Sequence, residues 1–285
     1  MAKNRYKIFR PKDLPMLFQV FSLDVTGGAL ASGYFWARLL GVSVRPVWLL
    51  VLALSVWVVY TADHLVDGMA KKHLATIRRH RFHYRYRYII AGTLILAALS
   101  AVWLARFFLG ENVFKNGLIL GMLALVYLSL VFVVRKSRFY FHKEFFIALF
   151  YVAGTALAPV TWYHRPLSAT VTVLLIVYVL LAWSESILMS FYEKDEDQKD
   201  QLESFTTYYG PSFTLKFMRI LLVVLAVFLA MSALLCSLWR GYFFLLWIMD
   251  VFLLFLSLFP TFYKVDHRYR WWGEFIFWLP FLLIL

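Results

Sequence analysis

Along the chain, long apolar windows alternate with short charged or turn-forming stretches. Several windows approach the roughly 20 residues that a helix needs to cross a hydrocarbon core. The pattern predicts nine helices, over residues 15–36, 45–67, 88–107, 116–134, 145–163, 168–192, 213–236, 242–262 and 271–285. The expected fold class is an all-α membrane protein, a nine-transmembrane-helix bundle forming one integral membrane domain over residues 1–285. Residues 1–14 form a polar tail, and two loop regions, 63–87 and 193–212, carry most of the chemistry-bearing side chains.

Composition sharpens this picture. With 62% hydrophobic and 16% charged residues and a mean hydropathy of +0.72, the bilayer is the main solvent. The opening "MAKNRYKIFRPKDLP" is basic and polar and lacks a short apolar run ending in a cleavage site, which argues against a removable signal peptide. Cys236 is the single cysteine, so no intramolecular disulfide is expected and redox chemistry gains no support.

The formal charge of +13 reads first as topology. If the N-terminus is cytoplasmic, 23 of the 29 Lys and Arg residues fall on inside segments and 6 outside, as the positive-inside rule requires. A plasma membrane, of a bacterium, is the expected location. Attraction to anionic lipid explains the remaining positive charge, and nucleic acid is set aside as a partner.

On that topology the second and sixth helices both end at the inner face. The second ends in "TADHLVDG" and the sixth in "SFYEKDEDQKD". Positions i and i+4 share a helix face, so Asp63 with Asp67 and Glu193 with Asp197 each form a two-carboxylate claw. Such density of negative charge beside a low-dielectric slab calls for cations. Mg²⁺ suits it, because it takes one or two carboxylates and leaves its other positions to water or phosphate. Two facing claws would hold a diphosphate through bridging metal. The loop "GMAKKHLATIRRHRFHYRYR" adds Lys71, Lys72, Arg78, Arg79 and Arg81 as anion partners. A merely solvated acidic interface is the plain alternative for the acids, and topology alone the alternative for the basic loop. Zinc at His80 and His83 is disfavoured, since no Cys accompanies them in a cationic setting.

These residues resemble the UbiA-type intramembrane prenyltransferases. "EKDEDQKDQLESFTTYYG" is similar to the family's "DxxxDxxxGxxS" stretch, with Glu193 for the first Asp, Asp197 for the second, Ser204 for the Ser or Thr, Gly210 for the closing Gly and Gln201 where the family has Gly. "VYTADHLVDG" resembles "NDxxDxxxDG": Asp63, Asp67 and Gly68 match, while Val59 and Tyr60 replace the Asn-Asp pair. "VVRKSRFYFHKEFFIALFYVAGTALAP" is similar to the family's "YxxxKR" loop, with Arg135 and Lys136 as the cationic pair and Val131 in place of the Tyr. The resemblance implies a nine-helix bundle with a central cavity opening to the cytoplasmic side. It implies Mg²⁺-dependent transfer of a prenyl group from a prenyl diphosphate to a hydrophobic acceptor, aromatic or of lipid-quinone type.

The expected metal and catalytic residues are therefore Asp63, Asp67, Glu193 and Asp197, and the diphosphate partners Lys71, Lys72, Arg78, Arg79, Arg135, Lys136 and Lys199. Allylic ionisation gains from a dry cavity and aromatic faces, and Tyr60, one turn before Asp63, is the first aromatic to consider. Asp24 and Glu185 lie about two turns deeper, or roughly 12 Å, and are candidates to orient the acceptor or accept its proton. Interhelical polar contacts through Ser184 or Ser186 are the alternative for these two, and more so for Asp250 and Glu274. Two other readings stay open: a divergent cyclase or hydrolase of the same diphosphate, and a non-catalytic transporter or lipid-binding protein.

Overall fold

The computed structural model describes residues 18–71, 78–133, 143–199 and 203–284, all helix, turn or coil with no strand. The long helices are α1 (Leu23–Leu40), α2 (Pro46–Lys71), α4 (Arg87–Phe108), α5 (Glu111–Val133), α6 (Lys143–Tyr163), α7 (Ala169–Tyr192), α10 (Pro211–Leu235) and α11 (Arg240–Leu258). Between them lie the short helices α3 (Arg78–Arg85), α8 (Lys194–Lys199), α9 (Phe205–Tyr209) and α12 (Pro260–Lys264). The chain closes with α13 (Arg268–Phe275) and a 3₁₀ segment, Ile276–Ile284. Among the described residues six helices are long and apolar enough to cross a membrane.

Local chemistry sets the boundaries. Pro46 and Pro211 stand at the first turns of α2 and α10, where a missing N–H costs nothing. The Ser168 hydroxyl accepts from the Val171 N–H at the start of α7, 3.3 Å away. Gly210, at φ 84°, makes the corner between α9 and α10, a conformation that a Cβ would strain. Three sequence expectations shift. The first helix breaks at Ser22 (φ 54°) and runs on to Leu40. The second passes through Gly68 to Lys71, so Asp63 and Asp67 stand inside the helix, about two turns and one turn short of its end. The expected helix at 271–285 is α-helical only to Phe275, because Pro280 lacks an N–H and crowds the preceding turn.

Packing places α1 and α7 at the centre. Phe35 and Trp36 of α1 and Leu174, Tyr178, Leu181, Ile187 and Leu188 of α7 are fully buried, joined by Met218, Leu246 and Met249 of α10 and α11. A polar knot ties three helices together: the Ser32 hydroxyl lies 2.6 Å from the Tyr178 hydroxyl and 3.0 Å from that of Tyr151. Gly27 lets the C-terminal segment press onto α1, since a Cβ there would overlap the Trp278 indole. The flanks are different. On α4 and α5, Ile89, Leu96, Phe107 and Leu125 are about two-thirds exposed, a distribution suited to hydrocarbon and not to water.

Candidate functional site

Antiparallel succession brings particular helix ends together. The starts of α1, α6 and α13 and the ends of α2 and α7 all lie at one end of the bundle, and between them is a cavity of about 190 Å³. Its wall includes Asp63 and Tyr60 from α2, Glu185 and Glu193 from α7, Asp197 from α8 and Asp24 from α1. Six residues singled out from sequence thus surround one space. The wall also takes Gln19, Ser22, Lys143, Glu144, Tyr151 and Arg270, none of which was assigned a role from sequence, and Glu274, read from sequence as an interhelical contact.

Each acid is held by a local device. At the end of α7 the helix gives way at Glu193 (φ −92°, ψ 5°), yet the Asp197 N–H still donates to the Glu193 carbonyl at 2.8 Å, so the two acids remain one turn apart. Glu193 forms an ion pair with Arg270 of α13, both largely buried. Arg270 lies over the Tyr269 ring, and that ring stacks on Tyr192 with centroids 4.5 Å apart. The Tyr192 hydroxyl donates to the Leu256 carbonyl at 2.5 Å and anchors the stack to α11. Asp195 points away from the cavity to Lys264, 2.8 Å distant, and that hydrogen bond holds its carboxyl below the usual range.

The end of the second motif is structural. Ser204 caps α9 and forms a reciprocal capping box with Thr207, and the Phe205 N–H donates to Glu144 Oε1 at 2.9 Å. The Ser190 and Thr206 hydroxyls meet at 2.9 Å and fasten α9 to α7. Glu144 Oε2, buried beside the cavity, has no hydrogen-bond partner.

The first motif is more open. The Asp63 side chain is half exposed and lies 3.8 Å from the His64 ring, which packs edge-on against His83 at 5.6 Å. Tyr60 lies within electrostatic reach of Glu274, Glu185, Asp63 and Asp24. On α1, the Ser22 break frees the Phe21 carbonyl, which accepts from the Trp57 indole at 3.0 Å. The Trp278 indole donates to the Asp24 carbonyl at 2.9 Å.

The basic partners are only partly placed. Lys199 is exposed at the end of α8 and does not line the cavity. Lys72, Arg135 and Lys136 lie outside the described residues, as do the side chains of Asp67, Lys71, Arg78 and Arg79. Of the cavity residues found only by the structure, Lys143, Glu144 and Arg270 carried one usable signal: each sits in the first turn of a helix that starts at the face where α2 and α7 end.

The oxygen-rich wall suits Mg²⁺ by donor type, since that ion needs only one or two carboxylates when phosphate completes its shell. Among the described residues no three acidic, His or Cys side chains converge on one point. A bound ion would therefore draw on Asp63 at one side and Asp197 or Glu193 at the other. A shallow, mostly apolar groove lined by Leu99, Trp103, Phe107 and Phe114 lies at the opposite end of the bundle and carries no such chemistry.

No protein-family model matches the chain, and no curated protein matches its sequence. Solved structures do match. A structure of digeranylgeranylglyceryl phosphate synthase aligns over 95% of this chain and 98% of its own, with a TM-score of 0.55 and 14% identity. A UbiA homolog from Archaeoglobus fulgidus bound to GPP and Mg²⁺ aligns over 95% of this chain and 97% of its own, at TM-score 0.54 and 14% identity. The same homolog bound to DMAPP and Mg²⁺ aligns over 95% and 96%, at TM-score 0.53 and 14% identity. The chain therefore has the fold of the UbiA-type prenyltransferases.

Proposed function

We propose that this protein transfers a prenyl group from a prenyl diphosphate to a hydrophobic acceptor within the membrane, using Mg²⁺. The observation that carries the reading is one cavity in a UbiA-type fold whose wall includes Asp63 of α2, Glu193 at the end of α7 and Asp197 of α8. The solved neighbour holding GPP or DMAPP with Mg²⁺ supports the same substrate class. The nine segments cross the membrane as one domain with the N-terminus and cavity on the cytoplasmic side, in keeping with the distribution of Lys and Arg.

Asp63 and Asp67 on one side, Glu193 and Asp197 on the other, hold the metal-bound diphosphate, and Lys71, Lys72, Arg78, Arg79, Arg135, Lys136 and Lys199 add positive charge around it. Mg²⁺ bound there supplies charge neutralisation for the departing diphosphate. The remaining chemistry belongs to the chain. As the bond between C1 of the donor and the diphosphate oxygen breaks, Tyr60, on the cavity wall, offers an aromatic face to the positive charge that develops on C1. The acceptor forms its new bond to C1 and gives up its proton to a cavity carboxylate, a role we assign to Asp24 or Glu185 of the same wall. The free volume, about 190 Å³, is below the roughly 300 Å³ of common ligand pockets. It takes head groups, and the prenyl chain extends beyond it.

The test is incubation of purified protein with Mg²⁺ and GPP or DMAPP plus membrane lipid extract, with diphosphate release measured and products identified by mass. Transfer predicts a prenylated acceptor and its loss in D63N and D67N variants that insert normally. No diphosphate release from any donor would sink the reading. A cyclised or hydrolysed product would favour the second reading, which draws on Val59 and Tyr60 standing in place of the family's Asn-Asp pair.

A further inference from the structure

Beneath the acidic rim the cavity continues into a second set of polar groups: Gln19, Ser22 and Asp24 on the broken start of the chain's first helix, and Glu185 and Glu274 opposite. Ser22 lines the cavity and is 2% exposed, and its hydroxyl is buried without a hydrogen-bond partner. Gln19 Nε2 and Glu185 Oε1 are also buried without partners. Three such atoms on residues that line one cavity are unusual, because a buried polar group left unmade costs more than its bond would return. Ser22 also holds a left-handed backbone, φ 54°, a conformation retained where the surroundings require it.

The charge of this compartment is one-sided. Lys143 and Arg270 are the cationic residues among the described wall, Lys143 at the rim and Arg270 already engaged by Glu193. Glu185, Asp24 and Glu274 lie around the space below, with Gly273 letting Glu185 approach the last helix: a Cβ there would sit 3.2 Å from Glu185 Oε1. An anionic group in this setting would meet like charge at low dielectric, where repulsion is weakly screened.

The geometry points to an acceptor whose head group donates hydrogen bonds and bears no negative charge, a hydroxyl or amine, seated among Gln19, Ser22 and Glu185. This rests on the transferase reading and narrows its acceptor: carboxylate- and phosphate-bearing acceptors are excluded. Glu185 accepts from the head group, while Ser22 and Gln19 supply the complementary hydrogen bonds.

The experiment uses detergent-purified full-length protein and three phenols that share one ring: 4-methylphenol, tyramine and 4-hydroxybenzoate. Binding is read directly by calorimetry, without turnover. The neutral and cationic probes are expected to bind about tenfold or more tightly than the anionic one, a difference of roughly 1.4 kcal/mol. Glu185→Gln, nearly isosteric, should narrow the tyramine to 4-hydroxybenzoate ratio several-fold, and Ser22→Ala should weaken the two favoured probes. Equal or tighter binding of 4-hydroxybenzoate, no binding by any probe, or an unchanged ratio in the Gln variant overturns the inference. Failure of the transferase reading shows separately, as absence of diphosphate release from GPP and DMAPP.

Discussion

The two acidic motifs lie across one cavity, yet they are built on different physical terms. Glu193 and Asp197 are buried and braced: Arg270 neutralises one, the following helix is capped by Ser204 and Glu144, and the Tyr192–Tyr269 stack holds the supporting segment. Asp63 is half exposed in its own helix, with a histidine beside it. One side of the site is thus organised by a buried ion pair and helix caps, whereas Asp63 on the other side is half exposed to solvent. The comparison teaches that equal spacing in sequence does not mean equal electrostatic state. A carboxylate already satisfied by a buried arginine has to be drawn away from it before it serves a cation.

Five substitutions, two of them combined in one variant, probe that contrast. The largest effect is expected at Asp63→Asn, which should lower diphosphate release from GPP about 100-fold or more while the melting temperature stays nearly unchanged, since the side chain is half exposed. Equal activity would place the chemistry on the braced side. Next, Arg270→Met strands Glu193 and should destabilise the protein by about 3–5 kcal/mol. Combining it with Glu193→Gln should recover most of that loss, and no recovery would mean that Arg270 acts through other partners. Glu144→Ala removes the acceptor at the start of α9 and should cost about 1 kcal/mol, read by thermal unfolding in detergent. Smallest is Lys264→Met, at about 0.5 kcal/mol or less, because both members of its pair are more than half exposed. Since that hydrogen bond holds the Asp195 carboxyl below its usual range, the small contribution is present at neutral pH and fades as pH falls through the lowered value. A melting-temperature difference between wild type and variant that grew on acidification would contradict it.

Much of the architecture was legible because its signals are local. Helix α7 begins one residue from its expected start and ends where expected, since its apolar run, Ser168 cap and polar terminus all lie in adjacent residues. The i, i+4 acid pairs were legible for the same reason. A proline at 280 inside an expected helix was a visible warning that the last segment would not stay α-helical. Ser22 was not legible: neither Gly nor Pro marks the break, and what sustains it is the Trp57 indole on another helix. The Glu193–Arg270 pair and the Glu144–Phe205 bond join residues far apart in the chain, so no window of sequence contains them.

Taken alone, the sequence determined that most of these helices form, about where they lie, and which of their ends carry acids, because hydrophobic periodicity and backbone hydrogen bonding act over a few residues. Tertiary structure decided which acids share a space, which are already neutralised, and where unpartnered polar atoms are left. Those outcomes depend on distance through space between segments that only packing brings together, and on a dielectric that only burial creates.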